Sequence, residues 1–242
     1  MVEASYGWDS VGRTVTLVLL PGLDGTEIFF RPLVAVLPPW IKPLVVTYPT
    51  TGINDYSELL PVVEAAIGDS KEFYVLGWSF SGPLALMLAA KQPNRIRGVI
   101  LCASFVRCPL RVLSLLRFAV VPAIVHLVRL VHRLGLLLSE DSSDTLRQDK
   151  ATTLCRVPSR IVAARLRAIL ALNAKRYVHE SLQPILYVAG SRDRVVPRRN
   201  VEEVVTELPS TKVVTIDGPH LALYTNPRAA AQVIARFIRE SA

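Results

Sequence analysis

Apolar runs of strand length recur along this chain and alternate with stretches of helical pattern. The first four strand-length runs fall at residues 14–20, 43–48, 72–77 and 96–103, and two more, 184–189 and 212–216, follow after a long interval. Strands that alternate with helices predict βαβ units and a parallel sheet. Val15, Leu17, Val18, Leu19 and Leu20 form an almost unbroken apolar stretch, as a strand covered on both faces requires. A last helix is predicted from Asn226 and Pro227, a capping residue followed by Pro at the first helical position, with Val233, Ile234, Phe237 and Ile238 along one face. Residues 108–179 read as helical, with Pro109, Pro122 and Pro158 as breaks. The expected fold class is therefore α/β: a mostly parallel, doubly wound sheet formed by residues 1–107 and 180–242, with a helical cap inserted at 108–179. No internal repeat or low-complexity linker separates the two parts.

Composition narrows the picture. A chain of 242 residues suits one α/β unit, and 51% hydrophobic with 20% charged residues excludes a disordered chain. The first ten residues contain Glu3 and Asp9 and no apolar run, so they offer no export signal. Cys102, Cys108 and Cys155 have no metal-binding spacing and read as small apolar fillers in a reducing compartment, and a cytoplasmic location is expected. Residues 112–138 reach membrane-spanning length, but Arg117, Pro122, His126, Arg129, His132 and Arg133 interrupt them, so no transmembrane segment is expected.

The net charge is +8, and residues 106–180 carry all of the excess, 13 Lys or Arg against 5 Asp or Glu. A solvated basic face is the plain reading. A sharper one is that the cap receives an acidic carrier, such as an acyl carrier protein, or an anionic surface. A pI of about 9.7 without an aromatic or helix-turn-helix signature does not support nucleic-acid binding.

The strongest chemical signal is Gly77-Trp78-Ser79-Phe80-Ser81-Gly82, a strand that runs through a tight turn into the apolar helix expected at 83–90. This is the context of a nucleophile elbow, where the residues two before and two after the serine must be small. Gly77 and Ser81 meet that demand around Ser79. Ser81 as nucleophile would place Ser79 and Pro83 in the small slots, which Pro83 fits poorly. A serine hydroxyl needs a base, normally histidine. His126, His132 and His179 lie in the insert, which leaves His220, in the loop after the last strand. An acid must orient that ring. Asp193 follows the strand before it, in the chain order Ser, Asp, His, while Asp217 is expected to cap a strand end. No acid lies between Glu72 and Glu140 to offer another choice. Two backbone amides would hold the developing oxyanion, those of Phe80 and of Leu23 in the Leu20-to-Thr26 turn. No metal or cofactor is implied.

With these pieces in order, the chain resembles the α/β-hydrolase superfamily over nearly all its length outside the cap. Within that group it looks like the bacterial carboxylesterases and the pimeloyl methyl-ester esterases. The matching segments are the Gly77-Trp78-Ser79 elbow, the Gly190-to-Pro197 acid loop and the Gly218-to-His220 loop. The turn Leu20-Pro21-Gly22-Leu23-Asp24-Gly25-Thr26 also resembles that of plant acyltransferases that make phytyl esters. Many relatives have His-Gly where this chain has Pro21-Gly22, so a side chain that can pin the turn is missing. The resemblance implies a serine esterase for short to medium acyl esters, with acyl transfer, thioester or peptide hydrolysis as the alternative. It also implies a substrate pocket under the cap. Trp78, Leu113, Leu116, Phe118, Val121, Ile124 and Leu221 are the candidates to line it.

Overall fold

The computed structural model describes residues 14–109, 120–138 and 143–241. Its frame is one six-stranded sheet of β1 (Val15–Leu20), β2 (Ile41–Val45), β3 (Phe73–Trp78), β4 (Ile96–Cys102), β5 (Ile185–Gly190) and β6 (Lys212–Ile216). The strands lie in the order β2-β1-β3-β4-β5-β6, and each neighbouring pair is parallel. All six match the apolar runs, but β2 starts two residues earlier than expected and ends sooner. It is an edge strand, the place where a sheet tolerates Pro43, which has no N–H to donate. Past Val45 the chain bends beneath the β1 turn: the Val46 amide donates to the Leu19 carbonyl at 3.0 Å and the Tyr48 amide to that of Gly25 at 2.9 Å. Val46 and Tyr48 are apolar because they are buried there, not because the strand continues.

Alternate residues of the central strands feed two cores. Leu17, Leu19, Tyr74 and Leu76 pack with Leu33 of α1 (Arg31–Val34) and with Ile234, Phe237 and Ile238 of the last helix (Pro227–Glu240). Val18, Leu20 and Val75 pack on the other face. Their partners are Leu59 and Val63 of α2 (Tyr56–Ile67), Leu84 and Leu88 of α3 (Gly82–Lys91), and Val204 of α8 (Arg199–Glu207). The sheet is thus doubly wound. The helix at 227 forms as expected, but Asn226 does not cap it through its side chain; its Nδ2 donates to the Asp217 carbonyl at 3.0 Å.

The chain leaves β1 toward β2 and returns to β3 on the opposite side of β1. Such a reversal opens a crevice beyond the carboxyl ends of the strands. The register aligns those ends: Leu20 lies beside Gly77, Trp78 beside Cys102, Cys102 beside Val188 and Gly190 beside Ile216. The turns after β1, β3, β5 and β6 therefore share one edge.

Between β4 and β5 come α4 (Pro122–Leu138), α5 (Asp144–Arg156), α6 (Ser159–Leu170) and α7 (Lys175–Glu180). The stem of this excursion is closed by the Ala174 amide donating to the Val106 carbonyl at 2.8 Å and by an antiparallel bridge between Arg107 and Asn173. Over the sheet, Arg156 pairs with Glu27 at 3.1 Å, and the Tyr224 hydroxyl donates to Asp149 at 2.8 Å. Cys102 and Cys108 are buried as expected, whereas Cys155 is exposed and fills nothing. Among the described residues, no helix is long and apolar enough to cross a membrane.

Candidate active site

β3 ends at Trp78, and the chain turns within Ser79–Ser81 before entering α3. Ser79 sits at φ +50°. A side chain in that region strains the backbone by about 1–3 kcal/mol, and the surrounding structure must impose it. The imposition is visible. A Cβ on Gly77 would lie 2.7 Å from the Ser81 carbonyl carbon, so only glycine lets the turn fold back on the strand. Behind it, the Ser104 hydroxyl donates to the Ser79 carbonyl at 2.6 Å. Ser104 is in turn gripped by Tyr187 of β5: the Tyr187 hydroxyl donates to the Ser104 carbonyl at 2.6 Å and accepts from the Ser104 amide at 3.0 Å.

The two serines of the turn have different surroundings. Ser81 is fully buried; its hydroxyl donates to the Pro21 carbonyl and accepts from the Tyr48 hydroxyl at 2.5 Å. The Ser79 hydroxyl instead lies 2.9 Å from His220 Nε2. Ser81→Ala should therefore cost about 1–3 kcal/mol, because it orphans two buried polar groups, yet leave Ser79 reactive toward a fluorophosphonate. A thermal melt with parallel labelling checks both halves.

His220 Nδ1 lies 2.8 Å from Asp193 Oδ2. The other carboxylate oxygen, Oδ1, accepts from the amides of Val195 at 2.8 Å and Val196 at 3.0 Å. Burial pushes the Asp193 pKa up, but the hydrogen bond and charge of His220 and the two amides outweigh it and hold the carboxyl below its usual value. A carboxylate can only accept, so Nδ1 carries the ring proton and Nε2 is left to accept from Ser79. Gly190 permits this approach: a Cβ there would sit 2.6 Å from the Pro219 carbonyl oxygen, closing off the His220 loop. The structure thus brings Ser79, Asp193 and His220 together from three turns.

The other expected residues are placed as follows. Leu23 and Phe80 occupy the turns after β1 and β3, and both are held through their carbonyls: Phe80 by the Tyr56 hydroxyl at 2.9 Å and Leu23 by Arg165 at 2.9 Å. Trp78 is buried behind His220, with Phe29 and Phe30 edge-on at 5.9 Å and its indole N–H donating to the His220 carbonyl at 3.4 Å. Leu221 is half-buried beside His220. Val121, just before α4, and Ile124, on its first turn, are 39% and 52% exposed. Leu113, Leu116 and Phe118 lie outside the described residues. Asp217 stands apart from His220's ring and pairs with Ser191 at 2.8 Å and Arg192 at 3.1 Å. No group of three or more His, Cys, Asp or Glu able to hold a metal occurs among the described residues.

A doubly wound parallel sheet, a strained serine elbow at its carboxyl edge and helices inserted after β4 define an α/β-hydrolase. Solved structures share the fold. A hydrolase from Pseudomonas aeruginosa superposes with a TM-score of 0.78 at 17% identity, covering 95% of this chain and 92% of that one. An esterase from Exiguobacterium antarcticum also gives 0.78, at 15% identity, covering 95% and 93%.

The match to the family model described as serine aminopeptidase, S33, spans residues 47–221, and the chain belongs to that family of hydrolases and esterases. Among curated proteins, a pimeloyl-[acyl-carrier protein] methyl ester esterase from Xanthomonas campestris pv. campestris is 30% identical, with 95% of this chain and 97% of the relative covered. One from Xylella fastidiosa is 30% identical over 86% and 88%.

Arg165, Ser104, Tyr187, Tyr48 and Tyr56 were not singled out by the sequence. Arg165 carried a legible signal: it lies four residues after Ile161 and four before Ile169, on the stripe of α6 that faces the core.

Proposed function

We propose that this protein is a serine carboxylic-ester hydrolase working through an acyl-enzyme. The observation that carries the reading is the continuous contact from Asp193 through His220 to Ser79, at 2.8 and 2.9 Å, on a backbone strained to present the hydroxyl. Ser79 Oγ attacks the acyl carbon while its proton passes to His220 Nε2. The tetrahedral oxyanion is held by the amides of Leu23 and Phe80. The imidazolium, stabilised by Asp193, returns the proton to the departing alkoxide, and water repeats the sequence to free the acid.

The substrate class we favour is a carrier-borne acyl methyl ester, as the curated relatives' name describes for them. Residues 108–179 act as the cap over the acyl chain, and their surplus basic charge suits an acidic carrier better than the cationic amine of an aminopeptide. Cys102, Cys108 and Cys155 form no disulfide with one another, which suits the cytoplasm. The family description favours a second reading, release of N-terminal residues from peptides. Fluorophosphonate labelling, mapped to the modified residue, and a panel of p-nitrophenyl esters, carrier-linked methyl esters and aminoacyl amides separate the readings. The expected result is a label on Ser79 and turnover of both ester classes, with salt slowing the carrier-linked substrate more. Amide turnover exceeding ester turnover would favour the peptidase, and an unlabelled, inactive protein would end both.

A further inference from the structure

Arg165, on α6 of the inserted segment, is fully buried, the bulkiest such side chain among the described residues. The hydrogen bonds it makes among the described residues go to neutral oxygens. Nε and Nη2 donate to Asn54 Oδ1 at 3.0 and 2.7 Å, Nη2 to the Pro49 carbonyl at 3.1 Å, and Nη1 to the Leu23 carbonyl at 2.9 Å. Its guanidinium also lies 5.4 Å from the centroid of the Tyr48 ring. Burial lowers its pKa to about 10, which still leaves it charged at neutral pH. The Asp24 carboxylate of the same turn acts on it through space while accepting hydrogen bonds from Thr26; burying a cation that bonds no carboxylate is still costly, and an apolar side chain of similar volume would fill the space at less expense. Packing alone therefore does not account for it.

The turn after β1 is shaped around this group. Gly25 stands at φ +69°, and a Cβ there would collide with the guanidinium. Leu23 supplies one of the two oxyanion amides in the acyl-enzyme reading, and Nη1 grips the carbonyl of that same residue.

We propose that Arg165 is a positioning residue for the reaction: it fixes the turn so that the Leu23 amide meets the acyl oxygen. Because it arrives on α6, the oxyanion site is complete only while the inserted segment is seated on the sheet.

The inference rests on the acyl-enzyme reading, and its test separates the two. Full-length Arg165→Gln and Arg165→Lys are assayed with an oxo ester and its thiono counterpart, whose sulfur is a longer, weaker acceptor for the oxyanion amides. The expected result for Arg165→Gln is a fall in kcat of about a hundredfold, little change in KM, and a clear drop in the oxo-over-thiono preference. Arg165→Lys, which keeps the charge and one donor, should recover part of both. A folded Arg165→Gln with wild-type kcat and wild-type preference overturns the proposal. If neither variant folds, Asn54→Gly decides. Glycine adopts the positive φ of 59° at that position without strain, and the change removes the acceptor that orients Arg165 along with the Nδ2 donor to the Thr51 carbonyl. A fall in the oxo-over-thiono preference supports the proposal, and an unchanged preference overturns it. Absence of fluorophosphonate label on wild-type Ser79 would sink the acyl-enzyme reading itself, whereas a labelled wild type with an unchanged preference in the variants sinks only the role of Arg165.

Discussion

Ser79→Ala should turn over p-nitrophenyl butyrate at least about a thousandfold more slowly than the wild type, with its melting temperature nearly unchanged. The hydroxyl is the atom that meets His220 Nε2 at 2.9 Å, and Ser81, two residues on, cannot replace it because its own hydroxyl is committed to Pro21 and Tyr48. The residual rate would come from binding and from the Leu23 and Phe80 amides, which the substitution leaves alone. Alanine keeps the Cβ that is strained at φ +50°, and only one partly exposed hydrogen bond is lost, so stability moves little. A variant that kept more than a tenth of the activity would show that another group attacks the ester.

Asp193→Asn carries the second large effect, a loss on the order of ten-thousandfold in kcat. The reason is local. Oδ1 of Asp193 accepts from two backbone amides, those of Val195 and Val196. An asparagine must keep its oxygen on those donors, which turns its NH2 toward His220 Nδ1. That nitrogen must then accept, the ring proton moves to Nε2, and the base faces Ser79 with its proton in place. Nitrogen NMR of the imidazole would report the switched tautomer directly. The wild-type carboxylate also contributes to stability. Its folded pKa is depressed, so the contribution is full above the unfolded value of about 4 and is lost as pH falls through the lower folded value. Asp193→Asn should therefore flatten the acid limb of the stability curve, measured by urea unfolding between pH 6 and 3, relative to the wild type.

The four inner strands were legible because they are buried on both faces over most of their length and so are almost continuously apolar. β1 and β3 could be read to within a residue or two. β2 was harder, since Val46 and Tyr48 are apolar for a reason outside the ladder. The residues of the elbow and of the Asp193 and His220 loops could be proposed from spacing because the turns that present them demand small residues at fixed offsets. The supports of those turns could not. Arg165 does sit on the core-facing stripe of α6, but a basic residue in a basic insert also reads as solvated, and the meeting of α6 with the β1 turn decides between the two. Ser104 and Tyr187 are ordinary residues in sequence, and their mutual grip depends on β4 and β5 lying side by side. The capping expected of Asn226 failed for a similar reason, because the Asp217 carbonyl competes for its side chain.

The grip of Tyr187 on Ser104, and of Ser104 on Ser79, has a consequence for the newly made chain. The elbow is synthesised early, but its carbonyl is held by a residue 25 positions downstream, and that residue by one 83 positions further on. His220 emerges later still. A ribosome-bound fragment that ends before β5 carries the serine without the frame that presents it or the ring that meets its hydroxyl. The strained turn at Ser79 is therefore fixed only once β5 has joined the sheet, and a fluorophosphonate should find no presented serine to label in a shorter fragment.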